Sequence, residues 1–238
     1  MSMYLHIQRN VASLKHHTSA KYVKEFLIGM TILVVLGGGY FINKIYKQHR
    51  EERAFVALSE VVDSFTQSQR ATQGLDVEKD KEKIEQAWQD TQTLLDALQK
   101  EHMSSYLAPY FLVFKSQIVL EKSSDVDQAI KILDEALAQM TKGSDMYNLF
   151  LMKRIKMGFD SKQEEVRKQA LQDLHVMAQN VSNSMYQEAL YELGLYYMHV
   201  GDVEKSQEAF KKLVDSADTS ALLSSPWIQK AQEKITTA

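Results

Sequence analysis

Apolar residues in this chain recur at intervals of three and four, not two, so the pattern predicts helices throughout. Phe55, Leu58, Val62 and Phe65 form one such stripe. Ile84, Ala87, Thr91, Leu94, Leu95 and Leu98 form another. The nearest candidate for a strand, Tyr110 to Val113, runs directly into a helical pattern. Pro occurs only at 109 and 226, and outside residues 26–42 Gly occurs only at 74, 143, 158, 194 and 201. So few breakers imply long helices, and those present fall between stripes. Thr72-Gln73-Gly74 separates the first two helices, Lys142-Gly143-Ser144-Asp145 closes one and offers an N-cap to the next, Gly201-Asp202 is a turn, and Pro226 opens a last helix at its first position.

One stretch departs from this amphipathic pattern. Phe26 to Ile42 holds 17 residues without a charge, between Glu25 and Lys44. As a helix it would rise roughly 26 Å, close to a thin hydrocarbon core. Ile45 and Tyr46 extend it if Lys44 snorkels. A buried core helix competes, since the length is borderline for a span. A cleaved signal peptide fits worse, because the run starts late and no small-x-small site follows. The expectation is a signal anchor over 26–46, with residues 1–25 as a short basic tail, 47–105 as helices leading inward, and 106–238 as a helical repeat domain.

Within 106–238, Ala129-x3-Leu133, Ala170-x3-Leu174 and Ser206-x3-Phe210 share a small-x3-large pattern, separated by 41 and 36 residues. Tetratricopeptide repeats have a period of about 34 and such a pair in their second helix. Leu190, Leu193, Gly194, Tyr197, Gly201, Ser206 and Phe210 stand at that repeat's spacings, with Leu190 in place of its Trp. The other two pairs match only in their second helices, and carry longer turns at Lys122 to Val126 and Gly158 to Gln163. The expected fold is all-α: one N-terminal transmembrane helix followed by an α-solenoid of degenerate tetratricopeptide-like helix pairs. An irregular helical bundle is the alternative.

Charge narrows the partners. Residues 1–50 hold seven Lys/Arg and one Asp/Glu, and the remainder holds 21 and 30. A basic flank suits anionic headgroups, while the acidic body leaves no surface for nucleic acid. Four basic residues precede the candidate span (Arg9, Lys15, Lys21, Lys24) and four follow it (Lys44, Lys47, Arg50, Arg53), so charge leaves its orientation open. With no Cys, disulfides and thiolate sites are excluded. No H-E-x-x-H, phosphate loop or G-x-S-x-G occurs, and the carboxylates lie beside Lys or Arg on faces that should be solvated. No enzyme activity, cofactor or metal is expected. Asn180-Val181-Ser182 is a formal glycosylation sequon, meaningful only in a eukaryotic secretory setting.

Placing Leu190 at the repeat's Trp position puts Tyr191, Leu195, Met198 and His199 on the concave side. The same mapping selects Tyr147, Phe150, Arg154 and Met157, then Phe111, Phe114 and Ile118. Such an apolar, partly Met-lined groove would accept varied apolar segments. The competing reading is that another helix, such as Phe55 to Phe65, fills it as core. Self-association through the span and a seam of Phe55, Leu58, Val62 and Phe65 is a second possibility.

The layout resembles the ancillary SecYEG translocon subunit family, the YfgM-like proteins. The residues that carry it are Gly37-Gly38-Gly39-Tyr40, Ala54 and Ala57 within Glu52 to Phe65, Asn148-Leu149-x-Leu151, and Leu193-Gly194-x3-Tyr197-x3-Gly201-Asp202. It covers the chain from about Lys21 onward. The resemblance implies a single-pass bacterial inner-membrane protein with its tail cytoplasmic and its repeats periplasmic. Its partners would be Sec translocon subunits, a membrane-anchored periplasmic chaperone and emerging polypeptides.

Overall fold

The computed structural model describes residues 43–76, 79–216 and 225–237. The chain divides into two compact units, 1–53 and 54–238. In the first unit residues 43–53 are helical, with an exposed pair His49–Glu52 at 3.2 Å and a part-buried pair Arg50–Glu51 at 2.9 Å. The second unit is a succession of helices: α1 (54–72), α2 (Lys81–Glu101), α3 (Ala108–Ser123), α4 (Val126–Ala138), α5 (Asp145–Phe159), α6 (Glu164–Gln179), α7 (Tyr186–His199), α8 (Val203–Asp215) and α9 (Pro226–Thr237). Among the described residues there is no strand, and Tyr110 to Val113 lies inside α3.

The expected localisation is corrected by the helices themselves. No helix among the described residues is long and apolar enough to cross a membrane. The longest helix of the second unit, α2, has 21 residues and carries charge along its length; α3 is more apolar but only 16 residues long, with Lys115, Glu121 and Lys122 in it. The described helices thus do not support an inner-membrane, single-pass placement. The tail 1–25 and the apolar run Phe26 to Ile42, with Gly37-Gly38-Gly39, lie outside the described residues.

Three helices begin at side-chain caps, of which the one at Ser144 is expected from the sequence. Ser144 accepts a hydrogen bond from the Tyr147 amide at 3.2 Å, Asp125 from Gln128 at 3.0 Å and Asp202 from Lys205 at 3.2 Å. Gly143 and Gly201 take φ of +79° and +81° in the turns before two of those caps. The α3–α4 connection is tighter than expected from Lys122 to Val126. Only Ser124 and Asp125 lie between the helices, because Ser124 adopts a left-handed φ of 51° that closes the turn.

Three hairpins follow, each closed by two small residues that face each other. In α3/α4 the Ser116 hydroxyl donates to the Ala129 carbonyl at 2.7 Å. In α5/α6 a Cβ on Gly158 would lie 2.7 Å from the Ala170 Cβ. In α7/α8 the Ser206 hydroxyl donates to the Gly194 carbonyl at 2.9 Å, and the Phe210 ring covers Gly194. These are the small-x3-large positions, and Leu133, Leu174 and Phe210 are all buried.

Helices pack chiefly on their sequence neighbours, so the core is a chain of overlapping clusters. α3 contributes Phe111 and Ile118 to a cluster with α1 and α2, and Leu112 and Val113 to one with α4. α5 likewise gives Met157 to the α4 side and Met152 and Ile155 to the α6–α9 side. A helix buried on two faces reads as nearly continuous apolar sequence, as in Phe111-Leu112-Val113-Phe114. α4 and α8, buried on one face, are strongly amphipathic.

α1 follows its expected stripe only in part: Leu58 and Phe65 pack on the core. Its buried face is Ala54, Ala57, Val61 and Ser68, whereas Phe55 is 67% and Val62 39% exposed. Trp88 of α2 is fully buried against this helix, with its ring centre 5.0 Å from that of Phe65. Ser68 completes that face with hydroxyl bonds to Thr91 at 2.9 Å and the Ala87 carbonyl at 2.7 Å.

The crossing of α5 and α6 makes a test. Gly158→Ala should destabilise the protein by about 1–3 kcal/mol in chemical denaturation, because two rigid Cβ atoms collide. The gain from helix propensity, about 1 kcal/mol, is smaller. Ala170→Gly in the same chain should recover part of the loss. An additive double variant would show that the crossing does not set the packing.

A candidate groove at the α5–α6–α7 junction

A groove of about 610 Å³ opens where the end of α5, the first turns of α6 and the last turns of α7 converge. Phe159 ends α5, Leu171 comes from α6, and Leu195, Tyr196, His199 and Val200 come from α7 and its C-cap. Phe159 and Tyr196 stack with ring centres 5.3 Å apart. The volume lies within the range of about 300–1,000 Å³ typical of small ligand sites.

The rim is charged but largely self-satisfied. Lys168 pairs with Glu164 at 2.7 Å, and Arg167 donates to the Ser161 carbonyl at 2.6 Å, fixing the α5–α6 turn. Lys156 ties α5 to α7 through Glu188 at 2.5 Å and Glu192 at 2.8 Å. Burial works to lower the Lys156 pKa, but the two carboxylates outweigh it and raise it above the usual lysine value. With these charges paired, the groove offers a ligand mainly apolar contact.

Of the eleven positions expected to line a binding groove, Leu195 and His199 line this one, and Met198 is exposed beside them. Tyr191 is buried against Phe210 and Trp227. Phe111 and Ile118 are core, and Phe114 packs edge-on to Phe65 at 5.4 Å, so α1 and α2 cover that face as the competing reading has it. Met157 is buried beside α4, while Tyr147 and Phe150 are half-buried. Arg154 is buried, 3.1 Å from Asp134 and 3.7 Å from Asp173, with its Nη1 lacking a hydrogen-bond partner.

Phe159, Leu171, Tyr196 and Val200 were not expected. The signal for Phe159 lies in the crossing register: Gly158 and Gly194 are equivalent, 36 residues apart, which aligns Phe159 with Leu195. The same register aligns Arg154 with Leu190, and Leu112 in the hairpin before them.

A smaller pocket of about 190 Å³ lies between α6, α7 and α8. There the Tyr197 hydroxyl and His175 Nε2 are 2.9 Å apart, and Lys205 sits 5.3 Å from the Tyr197 ring centre. Burial pushes the His175 pKa below its usual value, and Lys205 adds to the shift.

Compared with known proteins the chain finds no counterpart: no family model, no curated protein and no solved structure matches it.

Two outcomes follow from these side chains. Arg154→Leu should raise stability by about 1–4 kcal/mol in denaturant titration, since leucine fills the position as Leu112 and Leu190 do, and Asp134 and Asp173 retain access to water. A loss would mean that the ion pairs outweigh the desolvation of Arg154. For His175, the unfolded chain binds the proton more readily than the folded one. Its contribution is complete above the unfolded value of about 6.5 and is lost as pH falls through the depressed folded value. His175→Gln should flatten that part of a stability–pH curve; an unchanged curve would assign the slope to other groups.

Proposed function

We propose that this chain is a non-enzymatic protein-interaction scaffold, an α-solenoid of degenerate tetratricopeptide-like hairpins that holds a partner polypeptide. The observation that carries this reading is the α5–α6–α7 groove, where Phe159, Leu171, Leu195, Tyr196 and Val200 form an apolar lining inside a paired rim. Its chemistry suits an apolar side chain or a short amphipathic segment laid across helix ends. The exposed Met198 adds a side chain that repacks readily around different ligands.

The partner's identity rests on the resemblance alone. It suggests an accessory or chaperone-coupling role at the Sec translocon, with translocon subunits, a chaperone or emerging polypeptides as ligands. Self-association is a second reading, favoured by Phe55 and Val62, which stand one heptad apart and exposed on α1.

A photoreactive residue at Val200, at the groove mouth, should crosslink a translocon subunit or a secretory chain in cells. Leu195→Asp should remove that adduct while leaving the circular-dichroism spectrum unchanged. An adduct that survives Leu195→Asp would exclude the groove. Adducts confined to this chain itself would favour self-association.

A further inference from the structure

Several lysines that bridge helices in this protein meet carboxylates. Lys115 pairs with Asp96 at 2.7 Å, Lys122 with Glu85 at 3.3 Å and Lys156 with Glu188 and Glu192. Lys153 of α5 differs. Among the described residues its Nζ donates to a neutral acceptor, the Gln117 Oε1 of α3. The Gln117 amide nitrogen in turn donates to Glu121 at 2.7 Å, so Glu121 reaches the ammonium through an amide. Lys153 is also half-buried, and burial lowers its pKa more than Glu121 restores it.

The same face of α5 is apolar one and two turns earlier. Met146, Leu149, Phe150 and Lys153 follow at spacings of three and four, which places them along one stripe. Met146 is 40% and Leu149 43% exposed, and Phe150 meets Tyr110 of α3 edge-on at 6.0 Å. The result is an exposed apolar strip ending at a partly desolvated cation whose direct partner is uncharged.

We propose that this strip docks a polypeptide segment in which one Asp or Glu is set among apolar side chains, its carboxylate received by Lys153. A docked apolar segment would strip further water from the ammonium, and an amide alone does not balance that loss. A carboxylate does, through a charge-assisted hydrogen bond. This surface is separate from the α5–α6–α7 groove, and the two fail independently.

The test uses the full chain and short fluorescein-labelled amphipathic peptides of Leu, Phe and Ala. Each carries a single Glu at one of successive positions, with a matched Gln set. Fluorescence anisotropy should show at least one Glu peptide binding about tenfold or more tighter than its Gln twin. Lys153→Met should abolish the difference, Lys153→Arg should keep much of it, and Leu195→Asp in the groove should leave it intact. Equal binding of the paired peptides, no binding by any of them, or a preference that survives Lys153→Met would overturn the proposal. So would dimerisation abolished by Leu149→Asp, which would assign the strip to a second copy of the chain.

Discussion

Close approach of two helix backbones at a small residue on each side is the constraint on which the rest of this structure depends. Ser116 faces Ala129, Gly158 faces Ala170 and Gly194 faces Ser206. Each crossing fixes the axial register of one hairpin, and the large residue four positions on fills the space beyond it. Leu133, Leu174 and Phe210 can be buried only because the helices cross so near. Register then decides which side chains of α3, α5 and α7 face inward, outward or toward the next hairpin. The groove is one consequence, since the position just after Gly158 and Gly194 supplies Phe159 and Leu195.

The division of labour between helices follows from the same geometry. α3 and α5 are covered on two sides, so hydrophobic burial stabilises them along most of their circumference. α4 and α8 cover one side and present polar residues to water. Polar contacts between elements are mostly short bridges such as Lys115–Asp96 and Lys156–Glu192, which contribute modestly at partly exposed sites. They select which helices lie side by side more than they hold them together. Packing supplies most of the stability, and the bridges add orientation.

The helical character, the cap before α5, the turn at Gly201-Asp202 and the small-x3-large pairs were legible in the sequence because each depends on residues close together in the chain. The inner faces were not. Phe111, Phe114 and Ile118 read as groove residues until α1 and α2 are placed over them, and periodicity carries no information on what covers a helix. In α1 the largest apolar residues suggested the buried face. The structure packs Leu58 and Phe65 of that stripe on the core, but buries Ala54, Ala57 and Val61 more fully and leaves Phe55 exposed. Most of the groove lining, Phe159, Leu171, Tyr196 and Val200, was not legible either. For Phe159 the reason is register: the Gly158 crossing sets a frame for the middle hairpin that the small-x3-large pair at Ala170 does not reveal.

That frame gives Arg154 its meaning. At the position four residues before the crossing, the other two hairpins bury Leu112 and Leu190. Here a guanidinium lies between Asp134 of α4 and Asp173 of α6, with one nitrogen unsatisfied. Desolvating that cation costs more than a leucine would, and the carboxylates, partly exposed, recover only some of the loss. What the arginine adds is direction, since its two partners stand on the helices that flank α5 in sequence. Its hydrogen bond to Asp134 and looser ion pair with Asp173 favour one orientation of α5 more than a leucine's contacts do. The same helix carries Phe159 to the groove and Lys153 to the exposed strip, so its rotation sets the geometry of both surfaces. The middle hairpin thus gives up some burial energy to fix the helix on which both proposed contacts with other polypeptides are built.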